Sequence, residues 1–414
     1  MNIYSKLLEL KESNESIKVG VVGAGQMGYG MICQIASIPG MSVSAVSDIR
    51  LESAQNAAVA YNEYADEPSN VFVSTNYKDL VEHPDVEVIV DATGVPEVGA
   101  KIAMAALIAR KHLVLLNVEI DITIGSIMHK LFSAAGLIYT GTDGDEPAST
   151  FELYNFAKAM GFEVLVAGKG KNNKLRPDAN PDSVREEAEA RGMSAHMLAS
   201  FADGTKTMAE MTLLSNAIGF KADVTGMHGI AGDLETTVDQ LKLKSEGGVL
   251  NNYGVVEYVD GLAPGVFVIV KGQNEGVIHE LSYMMKKERD HQILYRPYHL
   301  ASLETPISIA KAVLMGESSI VPMGAPVSDT IAVTKKDIKK GERLDAIGGY
   351  CVRGVIECHE LTMKNKYIPI GLIAGNTVAK RDIPYGTTLT EDDIELDTTT
   401  TVWQLRKLQE TLIG

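Results

Sequence analysis

One glycine-rich segment near the start of the chain constrains its fold more than any other feature. The apolar run KVGVVGAG, residues 18–25, contains the start of the pattern Gly23-x-Gly25-x-x-Gly28, and the helix-like run MICQIASI follows it. Glycines at these spacings allow a tight strand-to-helix turn and let a pyrophosphate approach the helix N-terminus. Asp48 ends the next apolar strand, where a carboxylate can bind a ribose 2′-hydroxyl. The segment therefore predicts a dinucleotide-binding site.

The expected ligand of this site is NAD or NADP. Asp48 alone favours NAD, whereas Arg50 could neutralise the 2′-phosphate of NADP, so both stay open. The strand ends DATGVPEVGA (91–100) and NVEID (117–121) should line the nicotinamide side, because ligands of open α/β sheets bind beyond the carboxyl ends of the strands. For Asn117 and Glu119, local turn capping is the alternative. The predicted cofactor-binding residues are Gly23, Gly25, Gln26, Met27, Gly28, Asp48, Arg50, Thr93, Gly94, Asn117 and Glu119.

The order of apolar runs predicts an α/β protein with three regions and a tail. Strands alternate with helices over residues 1–140, which is typical of a Rossmann sheet, doubly wound and parallel. A second α/β region covers residues 141–325. In the third region, 326–398, VTKKDIKKGERL (333–344) recurs as VAKRDIPYGTTL (378–389) with six of twelve positions identical, which predicts a small β domain with approximate twofold symmetry. Residues 399–414 are predicted to form a C-terminal helix.

Composition excludes several classes of partner. The net charge of −16 argues against nucleic acid and anionic membranes. No apolar run reaches the roughly 18 residues that a membrane span needs, and the N-terminus lacks the pattern of a signal peptide. The three cysteines are too few and too scattered for a disulfide framework or a zinc cluster. We therefore expect a cytoplasmic protein with reduced thiols.

A cluster of acids precedes a predicted helix in TGTDGDEPASTFEL, residues 140–153. Helix capping and the helix macrodipole favour acids at this position, but three acids exceed what a cap requires. They could hold Mg²⁺ or Mn²⁺ through oxygen ligands, or act as acid and base beside a reducible carbonyl. Asp143, Asp145 and Glu146 are the predicted metal ligands. Asp145 is also a predicted substrate ligand, and Glu146 a predicted catalytic residue.

Basic residues supply groups of complementary charge. In GKGKNN (168–173), Lys169 and Lys171 share a face if the preceding strand persists, and both are predicted to be catalytic. Solvated lysines are the alternative. Arg296 and His299 are predicted to bind a substrate phosphate. The alternative is that this segment is only a strand-to-helix turn. Asn172 is a further predicted substrate ligand.

The segment FADGTKTMAEM, residues 201–211, places Asp203, Lys206 and Glu210 at a predicted helix start. A lysine in the first turn opposes the macrodipole, so a simple cap does not explain it. Lys206 and Glu210 are four residues apart and can pair, and Asp203 nearby would make the proton affinity of Lys206 tunable. All three are predicted to be catalytic. The apolar residues of this helix are predicted to be core: Met208, Met211, Leu214 and Ala217.

Taken in order, these motifs resemble one family over nearly the whole chain. They are GAGQMG, DATGVPE, NVEID, TGTDGDEPAS, GKGKNN, FADGTKTMAEM and YRPYHL, followed by the duplicated β segment. The chain resembles the 1-deoxy-D-xylulose 5-phosphate reductoisomerase-like enzymes, a group distinct from the ordinary reductoisomerase. Its first two-thirds are also similar in layout to homoserine dehydrogenase, and its terminal repeat resembles a SAF domain.

The resemblance implies an NAD(P) domain, a catalytic and oligomerising domain, and a SAF domain, in a homodimer or homotetramer. It implies NADPH-linked conversion of 1-deoxy-D-xylulose 5-phosphate to 2-C-methyl-D-erythritol 4-phosphate, in isoprenoid precursor synthesis. Asn117 stands where homoserine dehydrogenases usually carry a lysine, which argues against homoserine as substrate. One alternative is a simple NAD(P)-dependent dehydrogenase of another hydroxy-aldehyde or polyol phosphate. The other is a nucleotide-binding regulatory protein without turnover.

Overall fold

The computed structural model describes residues 2–171 and 173–413, which form two compact units. The first unit comprises Met1–Asp145, Leu300–Val321 and Thr401–Gly414, and the second comprises Glu146–His299 and Pro322–Thr400. The sequence placed residues 300–321 in the second region, whereas their contacts group them with the first unit. None of the described helices combines the length and the apolar character that a membrane crossing needs.

The first unit is built on a six-stranded sheet with the strand order β3-β2-β1-β4-β5-β6. Every pairing in it is parallel. The chain crosses from one half of the sheet to the other between β1 and β4, the position at which such sheets bind ligands. The predicted doubly wound parallel sheet is confirmed. Its strands are β1 (Ile17–Val22), β2 (Met41–Ser47), β3 (Phe72–Ser74), β4 (Val88–Asp91), β5 (His112–Leu115) and β6 (Tyr139–Gly141).

Helices pack against this sheet, and its apolar strands are therefore buried along most of their length. The helix predicted for the C-terminal tail is present, and Glu97 caps it by accepting the backbone N–H groups of Thr401 at 3.1 Å and Val402 at 2.9 Å. The helices of the first unit are α1 (Ile3–Glu12), α2 (Gln26–Ile35), α3 (Leu51–Tyr64), α4 (Tyr77–Val81), α5 (Pro96–Ile108), α6 (Val118–Ala134), α13 (Thr305–Ala310) and α15 (Thr401–Leu412).

The second unit contains a mixed sheet with the order β12-β11-β7-β10-β8, and β9 also pairs with β10. Strand β11 runs antiparallel to β7 and β12, and the pairings of β10 are parallel. The predicted second α/β region is confirmed. Its strands are β7 (Glu163–Lys171), β8 (Lys221–Ala222), β9 (Ile230–Ala231), β10 (Val255–Asp260), β11 (Val266–Lys271) and β12 (His291–Arg296); its helices are α7 (Glu146–Ala159), α8 (Arg185–Ala190), α9 (Ala195–Ala202), α10 (Thr205–Ile218), α11 (Leu234–Gln240) and α12 (Glu275–Met285).

Residues 326–398, here called the repeat module, carry the duplicated sequence. Equivalent residues of the two copies bond each other: Ile338 N–H donates to the Ile383 oxygen, and Ile383 N–H to the Ile338 oxygen, both at 2.8 Å. Bridges at the two ends of the copies, Val333 with Thr388 and Arg343 with Val378, are likewise related by the twofold. The pairing therefore has the predicted approximate twofold symmetry. The module contains β13 (Ser328–Thr334), β14 (Val352–Cys358), α14 (His359–Asn365), β15 (Val378–Ala379) and β16 (Ile394–Glu395).

Candidate functional site

The glycine-rich turn joins β1 to α2 in the first unit. Gly23 has φ +99°, and a Cβ on Gly28 would lie 1.9 Å from the carbonyl oxygen of Gly23, so both positions require glycine. Among the described residues, no atom lies within 4 Å of a Cβ built on Gly25. Gln26 and Met27 begin α2 and are exposed, as Gly25 is. The turn therefore has the open space and the exposed helix start that a pyrophosphate needs.

Asp48 follows β2 and binds the glycine-rich turn. Its Oδ2 accepts the N–H of Ala24 at 2.8 Å, and its Oδ1 accepts the N–H of Arg50 at 2.9 Å. The Arg50 side chain is 72% exposed, with Nε 4.0 Å from the Asp48 carboxylate. The carboxylate thus sits beside the turn as predicted for a ribose ligand. The exposed guanidinium lies next to this carboxylate, so both a group for a ribose hydroxyl and a group for a 2′-phosphate are present, and NAD and NADP both stay open.

A buried polar cluster forms at the carboxyl ends of β4 and β5. The Asn117 amide donates to Asp91 Oδ2 at 2.9 Å and to Thr93 Oγ1 at 3.2 Å, and Thr93 Oγ1 donates to Asp91 Oδ1 at 2.6 Å. The amide oxygen of Asn117 is buried and has no hydrogen-bond partner among the described residues. Buried polar atoms are nearly always paired, so this oxygen is an acceptor that a bound cofactor could satisfy. Gly94, which follows Thr93, is exposed.

Two further acids lie buried in α6. Glu119, a predicted cofactor ligand, occupies the first turn, and Asp121 follows it. Burial raises the pKa of Asp121 to about 7, and burial also raises the pKa of Asp91 to about 6. Sequence reasoning missed Asp91 and Asp121 as titrating groups. The one feature of the sequence that could have indicated them is the position of each acid within an otherwise apolar run.

In the second unit, Lys169 lies enclosed by two glutamates. Strand β7 continues through Lys171, which places Lys169 and Lys171 on one face as predicted. The Lys169 Nζ is 2.5 Å from Glu146 Oε1 on α7 and also forms an ion pair with Glu210 on α10. The side chains of Lys169 and Glu210 are 6% and 4% exposed. A buried charge of this kind persists only when it is paired.

The charges of this cluster determine which group takes up a proton. Burial by itself lowers the pKa of Lys169, but Glu146 and Glu210 more than offset this and raise it above its usual value. Burial and the neighbouring charge of Glu146 raise the pKa of Glu210. The cluster holds one cation and two acids, so Lys169 stays charged and a carboxylate is the group that binds a proton.

Two other predicted residues border the cluster. His299 Nε2 lies 3.4 Å from Glu146 Oε1. The Lys171 Nζ donates to the carbonyl oxygen of Phe201 at 3.1 Å, and burial together with the charge of Lys169 lowers the pKa of Lys171. The fold of the second unit thus brings together five residues that the sequence predicted from four separate motifs: Glu146, Lys169, Lys171, Glu210 and His299.

The remaining predicted residues have other surroundings. Arg296 ends β12, donates to Ser149 Oγ at 3.2 Å and pairs with Glu152 at 3.1 Å, with its guanidinium 4.6 Å from the centroid of the Tyr298 ring. Lys206 lies in the first turn of α10, and its positive charge offsets part of the rise in the pKa of Glu210 that burial causes. Asn172 lies outside the described residues. The predicted core positions of α10 are confirmed as buried: Met208, Met211, Leu214 and Ala217.

Asp203 and Asp143 are both engaged in contacts with structural roles. The buried Asp203 carboxylate binds the Lys335 Nζ at 2.9 Å and accepts the N–H of Thr205 at 2.9 Å. Asp143 pairs with the Lys311 Nζ at 2.9 Å and accepts a hydrogen bond from Ser319 at 2.6 Å. These contacts explain why both acids are present without assigning either of them a catalytic or metal-binding role. The catalytic role of Asp203 and the metal-binding role of Asp143 stay predictions.

The metal hypothesis can be tested against the charge of the cluster. Glu146 and Glu210 offer carboxylate oxygens within 4.8 Å of each other, a spacing that an ion could bridge. However, Lys169 already supplies positive charge to both carboxylates. This ammonium offsets one of the two carboxylate charges and a bound proton can offset the other, so the pair does not require a divalent ion. Metal binding by Glu146 and by Asp145, the last residue of the first unit, stays a prediction.

Two family models match separate parts of the chain. The model described as "Oxidoreductase DRL, catalytic domain" matches residues 144–305, and the model described as "Dihydrodipicolinate reductase, N-terminus" matches residues 17–116. The first range contains the Lys169 cluster, the second contains the glycine-rich turn, and neither reaches the repeat module. Together they support an NAD(P)-dependent oxidoreductase with a catalytic region like that of the DRL oxidoreductases.

A curated relative and two solved structures are also similar. The "Uncharacterized oxidoreductase YrbE" of Bacillus subtilis (strain 168) is 29% identical over 99 residues, which is 24% of this chain and 27% of that protein. The chain thus matches about a quarter of the relative's length. A myo-inositol dehydrogenase from Lactobacillus casei, solved with NAD(H) and myo-inositol, has TM-score 0.46 and 14% identity over 74% of this chain and 89% of its own. A probable dehydrogenase from Thermotoga maritima has TM-score 0.44 and 15% identity over 74% and 91%.

Proposed function

We propose that this chain is an NAD(P)-dependent oxidoreductase that interconverts a carbonyl and a hydroxyl group in a small, hydroxylated substrate. The observation that carries the proposal is the buried ion cluster of Glu146, Lys169 and Glu210 in the second unit. An enclosed ammonium group stabilises negative charge on a substrate oxygen far better than one in water. An acid of raised pKa beside it can supply or accept the proton that the interconversion requires.

Each residue of the cluster has a role in this proposal. Lys169, kept charged by its two carboxylates, stabilises the oxyanion that develops when a hydride adds to the carbonyl carbon. Glu210, whose pKa burial raises, delivers a proton to that oxygen and recovers it in the reverse direction. Glu146 orients Lys169, and His299 lies close enough to Glu146 to exchange a proton with it. Lys171, whose pKa is lowered, is a second candidate acid and base.

The first unit supplies residues that would hold the cofactor. When bound, a nicotinamide dinucleotide would supply or accept the hydride. The glycine-rich turn would receive the pyrophosphate, Asp48 a ribose hydroxyl, and the amide oxygen of Asn117 a hydrogen-bond donor of the cofactor. The open space at Gly25 and the unsatisfied oxygen of Asn117 support this assignment.

Two specific reactions fall within the proposal. The sequence resemblance names the NADPH-linked reductoisomerisation of 1-deoxy-D-xylulose 5-phosphate, with Arg296 and His299 on the phosphate. The ion cluster favours the simpler alternative, in which a hydroxy-aldehyde is reduced, or a polyol phosphate is oxidised, without rearrangement. One ammonium and one acid suffice for that reaction, whereas the rearrangement needs two neighbouring oxygens held at once. Cytoplasmic location and a homodimer or homotetramer remain part of the proposal and rest on composition and resemblance.

A substrate panel tests the proposal. Purified protein would be assayed with NADH and NADPH against phosphorylated and free hydroxy-aldehydes and ketoses, including 1-deoxy-D-xylulose 5-phosphate, with and without Mg²⁺ or Mn²⁺. We expect cofactor oxidation with at least one phosphorylated compound, and NMR of the product separates a rearranged from an unrearranged carbon skeleton. Binding of NADH or NADPH without oxidation by any compound of the panel would favour the nucleotide-binding regulatory protein instead.

A further inference from the structure

Lys335 of the repeat module reaches into the interior of the second unit. Its Nζ lies 2.9 Å from Asp203 Oδ2 and donates to the carbonyl oxygen of Ala179 at 2.7 Å. Both charged side chains are fully buried. The desolvation cost of such a pair can exceed the attraction of its charges, so stability alone is a weak reason for it. Its location suggests another reason.

The partner of Lys335 lies in the turn that begins α10. Asp203 is the C-cap residue directly after α9, Gly204 follows with φ +88°, and Thr205 is the first residue of α10. The Asp203 carboxylate accepts the Thr205 N–H, so it is part of the turn itself. A second contact from the module reaches the same place, because the N–H of Gly354 on β14 donates to Thr205 Oγ1 at 2.8 Å. The module therefore holds the start of α10 at two points.

The second copy of the repeat provides an internal comparison. Lys380 occupies in that copy the position that Lys335 occupies in the first. Lys380 is exposed, and its Nζ donates to the carbonyl oxygen of Glu391 at 2.7 Å inside the module. The pairing of the two copies thus does not require a buried lysine at this position. Burial of Lys335 is tied to its contact with the α9–α10 turn.

Helix α10 carries two charged residues of the candidate site. Lys206 follows Thr205, and Glu210 reaches Lys169 from the next turn. A shift or rotation at residues 203–205 would displace the Glu210 carboxylate from Lys169, which is fixed on β7. Displacement of a reacting group by about 1 Å can lower a rate by roughly 100-fold.

We propose that the repeat module positions the start of α10 for the reaction, and that Lys335 is the positioning residue through which it does so. This inference rests on the proposed function of the Lys169 cluster. In this proposal, the repeat module acts on a helix of its own chain.

The test compares three variants: Lys335→Met, its repeat-related control Lys380→Met, and the double variant Lys335→Met/Asp203→Asn. The double variant removes both buried charges, and the amide retains an oxygen for the Thr205 N–H. Amide hydrogen exchange of peptides covering residues 203–218 is measured in the absence of substrate. The thermal midpoint, kcat, and KM for NADH or NADPH are measured with the most active compound of the panel described above.

We expect Lys335→Met to speed exchange at the first turn of α10 and to lower kcat by about 10- to 100-fold, with cofactor KM changed less than about twofold. Lys380→Met should change neither quantity. The double variant should regain much of the thermal midpoint but keep the low kcat, because its charge balance is restored and the positioning contact is not.

Three outcomes separate the hypotheses. Recovery of kcat together with the thermal midpoint in the double variant would mean that Lys335 only stabilises the fold, and would overturn the inference. Unchanged exchange in Lys335→Met would overturn it as well. Faster exchange at α10 in a protein that turns over no compound would uphold the positioning of α10 and refute only the proposed function.

Discussion

The candidate sites of the two units differ in whether their buried acids lie beside a buried cation. In the first unit, Asp91 and Asp121 are buried acids, and burial raises the pKa of each. In the second unit, Lys169 is equally buried but lies in contact with two carboxylates and stays charged. The first unit thus relies on backbone shape and hydrogen bonds, which suit the binding of a ligand. The second keeps a charge out of water, which suits chemistry at a substrate oxygen.

The largest expected effect comes from removing the buried cation. Lys169→Met should lower kcat by roughly 100- to 1,000-fold, because the developing oxyanion loses its stabilising charge. It should also lower the free energy of unfolding by about 3–5 kcal/mol, because two buried carboxylates lose their partner. Steady-state kinetics and urea unfolding measure both.

Lys158→Met, at an exposed position of α7, is the matched control and should be neutral. If Lys169→Met keeps most of its kcat on the best substrate, the ion cluster is structural. Lys169→Met/Glu210→Gln serves as the second variant if the single variant does not fold.

The buried acid of α6 should make the stability of the first unit depend on pH. Burial raises the folded-state pKa of Asp121 to about 7, so folding favours its protonated form. The stability that this form contributes is fully present below the unfolded pKa of about 3.9 and is lost as the pH rises through about 7, by up to about 4 kcal/mol. Asp121→Asn should therefore be more stable than the wild type at pH 8 and similar to it at pH 4.

Urea unfolding at both pH values measures this difference. Asp66→Asn, which removes an acid of the same unit whose side chain is 85% exposed, is the comparison variant. Equal pH dependence in the wild type and Asp121→Asn would mean that Asp121 finds a compensating partner and that the contrast between the units is smaller than described.

A single methyl group in the glycine-rich turn should disrupt the turn conformation that the predicted cofactor site requires. In Gly28→Ala, the new Cβ would lie 1.9 Å from the carbonyl oxygen of Gly23, so the turn must open. We expect the Kd for NADH or NADPH to rise about 100-fold, because the pyrophosphate loses its close approach to the backbone. Fluorescence titration measures it.

Gly30→Ala in the same helix is the control, since the nearest described atom to a Cβ there, outside the chain neighbours and the helix backbone, is Ser302 Oγ at 3.9 Å. Similar affinities in the two alanine variants would contradict the assignment of the turn to the pyrophosphate.

The smallest effect is expected from the exposed cation of the first unit. Arg50→Met should weaken NADPH binding by about fivefold and leave NADH binding within about twofold, because a solvated charge contributes only about 1 kcal/mol. Titration with each cofactor measures the two Kd values. Equal losses for both cofactors would mean that Arg50 contacts the ribose or the turn and does not select a 2′-phosphate. The loss in Arg50→Met should be much smaller than the loss of kcat in Lys169→Met, because Arg50 is exposed and Lys169 is buried.

Much of the fold could be predicted because it depends on local patterns. The apolar strands and the glycine-rich turn define the parallel sheet, and the strand FEVLVAG, extended by GKGK, places Lys169 and Lys171 on one face. The twofold pairing of the repeat follows from its internal identity. The pairing of Glu210 could not be predicted, because the i,i+4 spacing pointed to Lys206, whereas Lys169 lies 41 residues away in sequence.

The sequence by itself determined the order of elements, the dinucleotide turn, and the kinds of charged residue that carry the candidate chemistry. These depend on residue type, on periods of two and 3.6 residues, and on the steric demands of glycine. Only the tertiary structure decided which charges meet. Lys335 and Asp203 are 132 residues apart, and Lys335 and Lys380 occupy equivalent positions of one repeat, yet only the first is buried. Burial is set by what packs against a residue, and that information lies in the fold of the whole unit.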